Sequence, residues 1–178
     1  MSKMNKVLFL ERLMHERDKF EMLLNRAGFS RRMTMNGVSG FWSIKDILAH
    51  ILAYEQFIAD RLGETLHGEL YFPCRTPAEL EVFLEKFGYP DFDSPLLEET
   101  VANAWVVERY RSVPLEDIVA GELHAFSAIV SAIEGLPEAQ LNRHHLLERV
   151  ADHTYRHYRE HMRDIRHWLK STAPSAKS

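Results

Sequence analysis

Apolar residues recur every three or four positions along most of this chain, and no stretch alternates convincingly, so the pattern restricts it to an all-α fold. Over residues 3–27 the repeat is carried by Val7, Leu8, Leu10, Leu13, Met14, Phe20, Leu23 and Leu24, and Gly28 is a natural stop. Residues 29–41, with Gly37 and Gly40, read as a loop. The second helix has the best-marked start: Ser43 as N-cap, Asp46 closing a capping box, and Trp42 with Ile47 as a hydrophobic staple. It is expected to run to Leu66.

A long connector follows, punctuated by Pro73, Pro77, Gly88, Pro90 and Pro95, with a compact helix opened by Thr76, Pro77 and Glu79. Insertions of this length often wall or cover a site. Residues 94–112 read as another helix with Ser94 and Pro95 at its start. Pro114 opens the third main helix, with Leu115, Val119, Phe126, Ile129, Val130 and Ile133 as its stripe and Gly135 and Pro137 as its stop. The fourth main helix is expected over 145–169. Four main amphipathic helices suggest a four-helix bundle, one domain over 1–170 with a disordered tail at 171–178.

The 178 residues, 46% hydrophobic and 27% charged, suit a single core. No apolar run is expected to reach the roughly 20 residues of a membrane span, and the N-terminus does not read as a signal peptide. The lone Cys74 excludes an intrachain disulfide framework, and a cytoplasmic protein is the expectation. A net charge of −4 argues against a nucleic-acid partner. Arg156, Arg159, Arg163 and Arg166 alternate with Glu160 and Asp164, a mixed face rather than a phosphate-binding stripe.

Histidines separate on the helical wheel. With His157 at zero, Leu146, Leu147, Val150, Ile165 and Trp168 fall between about −20° and +80°, and His161 lies at about +40°. His157 and His161 therefore face inward, one turn apart, as two ligands of one metal would. His153 lies at the edge of the arc, at about −40°. Buried imidazoles need partners, and a third ligand should come from a facing helix. His50 is the candidate; taken alone, at the border of its own apolar arc, it reads as readily as a structural or surface residue. Three neutral imidazoles would leave positions open for water or substrate. Glu55 and Glu122 fall near apolar arcs and could orient the imidazoles through their second nitrogens, or pair with an arginine. Tyr54, one turn beyond His50, could donate a proton or position substrate, or be a core residue. His15, His67, His124, His144, His145 and His167 find no such placement.

WSIKDILAHILAYE, residues 42–55, and HTYRHYREHMRDI, about a hundred residues later, together resemble the DinB/YfiT-like superfamily of metalloenzymes. Its members pair a Trp-Ser-x-x-Asp-x-x-x-His start on helix two with His-x-x-x-His on the last helix. The middle segment VANAWVVERYRSVPLEDIVAGELHAFSAIVSAIEGLPEAQL is more similar to the ClbS/DfsB branch. The resemblance implies an up-down-down-up bundle with a long connection between helices two and three. It also implies a nickel or zinc ion on His50, His157 and His161, with His153 as a neighbour. Members include bacillithiol- and mycothiol-dependent transferases, and the ClbS branch includes a self-protection protein that hydrolyses a reactive cyclopropane. The function expected is a metal-dependent S-transferase or hydrolase acting on a small, electrophilic molecule, with a low-molecular-weight thiol as a cofactor class. The alternative is a non-catalytic ligand-binding or self-protection protein. A homodimer is compatible with the wide apolar faces of the first and fourth helices.

Overall fold

The signals at Ser43 work as the local sequence demands. In the computed structural model, which describes residues 5–28 and 31–174, the Ser43 hydroxyl accepts from the Asp46 backbone N–H, and Asp46 accepts from the Ser43 N–H. This box opens α2 (Ile44–Leu66). Replacing Ser43 with alanine leaves the Asp46 N–H without its cap, so the unfolding free energy measured in urea is expected to fall by about 1 kcal/mol.

The described residues are all-helical and hold no strand. Before α2 come α1 (Lys6–Ala27), capped by the Asn5 side chain, and a short 3-10 turn over Arg31–Thr34. After it come α3 (Pro77–Phe87), α4 (Glu99–Tyr110), α5 (Leu115–Gly135), α6 (Glu138–Arg143), α7 (Leu146–His153) and α8 (Tyr155–Ser171). The core joins Leu13, Phe20 and Leu23 of α1 to Ile47, Ile51, Ile58 and Leu62 of α2, Ile129 and Ile133 of α5, and Ile165 and Trp168 of α8. Helix α2 is central: it packs on α5, α4, α7 and α8, while α1 lies along α8. A smaller cluster of Ala53, Phe57, Cys74, Phe83, Tyr89 and Val106 ties the connector and α4 to α2.

Three expectations need correction. The last main helix is not continuous: it breaks at Thr154, whose backbone takes φ −123° and ψ −103° and whose hydroxyl donates to the Val150 carbonyl at 2.6 Å. A threonine bonded back to the carbonyl four residues earlier loosens and bends a helix. Ser94 and Pro95 do not start α4, because the Ser94 hydroxyl is drawn to the Cys74 carbonyl at 2.6 Å and the helix begins only at Glu99. The tail does not begin at 171 either: Ser171 ends α8, and the Thr172 hydroxyl and N–H both reach the Trp168 carbonyl. Residues 175–178 of the expected tail lie outside the described residues.

Among the described residues one helix, α5, is long and apolar enough to cross a membrane by length and composition, contrary to expectation. In this fold its apolar face packs on α2, and Glu122 in its middle pairs with Arg17 of α1.

Candidate metal centre

Helix α2 brings His50, and α8 brings His157 and His161, to one point. The Nε2 atom of His157 lies 2.8 Å from that of His50 and 3.0 Å from that of His161. One ligand atom from each of the three fits within a 4.8 Å span. Metal–nitrogen bonds of about 2.0–2.1 Å place neighbouring ligand nitrogens about 3 Å apart, so both separations suit a shared ion. The three residues are 4%, 8% and 9% exposed, which makes them interior groups rather than surface ones.

Burial keeps these imidazoles neutral. It lowers the pKa of His50 to about 3, helped by His161, and that of His161 to about 4. For His157 burial leads again, reinforced by His50, His161 and His153, and holds its pKa well below the ordinary value. A neutral imidazole offers a lone pair, the form a metal requires. Three such nitrogens converging at hydrogen-bond distance are poorly served by one another, since each neutral ring has a single N–H to give.

The walls come from separate elements. A turn closed by Trp42 N–H to the Ser39 carbonyl, with Gly40 at φ 57° in the left-handed region, sets the Trp42 ring 5.1 Å from that of His50. Tyr54, one turn along α2, meets the rings of His50 and His157 at 4.8 Å each. The connector lays Phe92 flat on Tyr54 with ring centroids 3.8 Å apart, and Asn103 of α4 accepts the Tyr54 hydroxyl at 3.3 Å. Burial, with smaller contributions from Glu99 and Glu160, raises the Tyr54 pKa and keeps its hydroxyl protonated. His153 stands next to the centre: its ring is 5.5 Å from Tyr54 and 5.6 Å from Phe57, and burial lowers its pKa to about 4.

Glu55 and Glu122 are not hydrogen-bonded to the imidazoles. The Nδ1 atoms of His50, His157 and His161 are buried without a hydrogen-bond partner among the described residues. Both carboxyls belong to a second polar cluster: Glu122 takes two bonds from Arg17, one of them at 2.6 Å, and Glu55 accepts from the Tyr158 hydroxyl. Arg17 Nη1 also reaches Tyr158 at 3.2 Å and Glu55 at 3.8 Å. Burial and the neighbouring Glu122 push the Glu55 pKa well up, against Arg17 and Tyr158, so Glu55 is held protonated. For Glu122 the arginine alternative is the one the packing realises, while Glu55 takes the Tyr158 hydroxyl and has Arg17 only nearby.

Sequence reading overlooked Arg17, although the signal existed: it shares the apolar stripe of α1, four residues after Leu13 and three before Phe20. Phe92 and Asn103 carried no signal, since neither lies in a motif. The remaining histidines stay apart: His15, His124, His144, His145 and His167 are exposed, and His67 caps α2 with its Nδ1 2.8 Å from the Gly63 carbonyl. Comparison of the chain with protein-family models, curated proteins and solved structures found no match.

Proposed function

We propose that this chain is a metal-dependent enzyme of the thiol S-transferase or hydrolase type, acting on a small, electrophilic molecule. The observation that carries the reading is the convergence of the His50, His157 and His161 Nε2 atoms in a buried, neutral cluster. The likeness of WSIKDILAHILAYE and HTYRHYREHMRDI to the DinB/YfiT-like pattern supports it, and with it an up-down-down-up four-helix bundle. A divalent nickel or zinc ion, when bound, would lower the pKa of a coordinated water or low-molecular-weight thiol so that a nucleophile exists near neutral pH.

The chain's own residues supply the rest. The three imidazoles offer lone pairs without having to lose a proton at neutral pH. Trp42, Tyr54 and Phe92 set aromatic rings beside the centre. The Tyr54 hydroxyl, protonated and donating its one hydrogen to Asn103, is the group placed to position a substrate atom, by exchanging that long hydrogen bond for one to the substrate. His153 backs this wall.

Elemental analysis of untagged protein tests the first step: the wild type is expected to carry a stoichiometric transition metal, and His157→Ala to lose it. Wild-type protein that takes up no metal sinks the proposal. The tight enclosure of the centre favours a second reading, a sequestering or self-protection protein of the ClbS/DfsB type. Metal that is bound but exchanges neither water nor small ligands would select it. A cytoplasmic protein without nucleic-acid or membrane partners belongs to the same proposal, as does a homodimer through Val7, Leu8, Met14 and Met22, which are exposed on α1.

A further inference from the structure

The rim of the histidine cluster carries unbalanced negative charge. On α8, Glu160 lies one turn beyond His157, and Asp164 one turn beyond His161. Helical geometry puts Asp164 about 20° and Glu160 about 60° from the direction of His157. Glu99 opens α4 four residues before Asn103, on the face that meets Tyr54. Glu99 and Glu160 are the charges felt by the Tyr54 hydroxyl, and Asp164 is the charge felt by His161.

Arg163, between Glu160 and Asp164 on α8, lies about 120° from the direction of His157 by helical geometry, on the solvent side rather than over the cluster. None of the three carboxylates makes an ion pair among the described residues. Arg149, which acts on His153, is paired with Asp93, and the Lys45 amino group donates to the Arg111 carbonyl at 3.0 Å. Asp46, on the same side of α2 as His50, is engaged in the capping box. The rim is therefore acidic and the walls are the rings of Trp42, Tyr54 and Phe92.

We infer that the centre selects a small molecule whose donor atom is carried on a neutral or cationic body, such as an aminothiol, over an anionic molecule of the same size. This rests on the three-histidine reading and adds the substrate's charge class. The donor end meets the three imidazoles and whatever ion they hold, while the body passes Glu99, Glu160 and Asp164. A carboxylate there would face like charge, and an ammonium would find its counter-ions; aromatic faces favour the cation further. Glu99 and Glu160 are exposed, so the selection weakens as salt rises.

Cobalt(II)-loaded, untagged protein titrated with cysteamine, 2-mercaptoethanol and 3-mercaptopropionate tests this through the thiolate-to-cobalt charge-transfer absorption. These probes share a thiol and differ in the charge of the body. Because their thiols differ in acidity, the quantity read is the ratio of the 3-mercaptopropionate Kd to the cysteamine Kd, compared with the same ratio in Glu99→Gln/Glu160→Gln/Asp164→Asn. The wild-type ratio is expected to exceed the variant's by about tenfold at low salt, with the difference shrinking at high salt. Equal ratios in the two proteins overturn the inference, even if the variant holds cobalt more weakly. A protein that takes up no cobalt overturns the three-histidine reading and this inference together; unequal cobalt uptake leaves the ratio readable.

Discussion

Arg17→Met is expected to lower the unfolding free energy by about 3–5 kcal/mol, the usual result of removing one partner from a buried ion pair. Domains of this kind have roughly 5–15 kcal/mol in total, so the loss is a large share of the stability. The size follows from what remains behind. Glu122 is 3% exposed and loses both of its guanidinium bonds, Glu55 is fully buried, and the Tyr158 hydroxyl loses its Arg17 donor. Arg17 also covers the Phe126 ring, with its guanidinium carbon 4.5 Å from the centroid, so methionine is the replacement that keeps most of the apolar stem. Urea denaturation followed by circular dichroism measures the loss. The double variant Arg17→Met/Glu122→Met should recover most of it, because no uncompensated buried charge then remains. A single variant within 1 kcal/mol of wild type would show that this cluster is not what ties α1 to α5.

Acid is expected to unfold the metal-free protein well before its carboxylates titrate. His50 and His161 have folded pKa values of about 3 and about 4, below the ordinary value of 6.5. Between those limits the unfolded chain binds more protons than the folded one, so stability rises with pH through this window. It is complete above about pH 6.5 and is lost as pH falls toward 4. At pH 5 each of these two groups withdraws about 2 kcal/mol, and His157, depressed for the same reasons, acts in the same direction. Glu55 acts oppositely: its raised pKa makes the fold bind a proton more tightly, so its contribution declines as pH climbs above the carboxylate range. His153, buried with a folded pKa of about 4, is a fourth imidazole that acts in the same direction as the three of the cluster, and together they outweigh one carboxyl. Thermal melts of chelator-treated protein should show a marked drop in Tm from pH 7.5 to pH 5, and His50→Gln/His157→Gln/His161→Gln should reduce it, His153 keeping the remainder. An unchanged slope in the triple variant would place the acid sensitivity elsewhere.

Local pattern was sufficient for much of this. The periods of α1, α2 and α5, the capping boxes at Ser43 and Thr76, and the inward direction of His157 and His161 all follow from the chain within a few residues of each feature. A wheel assumes an unbroken helix, however, and Thr154 breaks it, so the phase of His153 relative to His157 could not be carried across from one side to the other. The wheel also identified Glu55 and Glu122 as buried acids while leaving their partner open.

The sequence by itself determined that the chain is helical, where most helices begin, and that two histidines one turn apart face the interior. Only the tertiary structure decided that His50 meets them, that Arg17 rather than an imidazole claims Glu122, and that Phe92 and Asn103 close around Tyr54. The reason is physical: periodicity and capping are properties of one helix and its neighbouring residues, whereas these contacts depend on how α1, α2, α5 and α8 pack. The path of the irregular connector before α4, which places Phe92, leaves no periodic trace in the sequence.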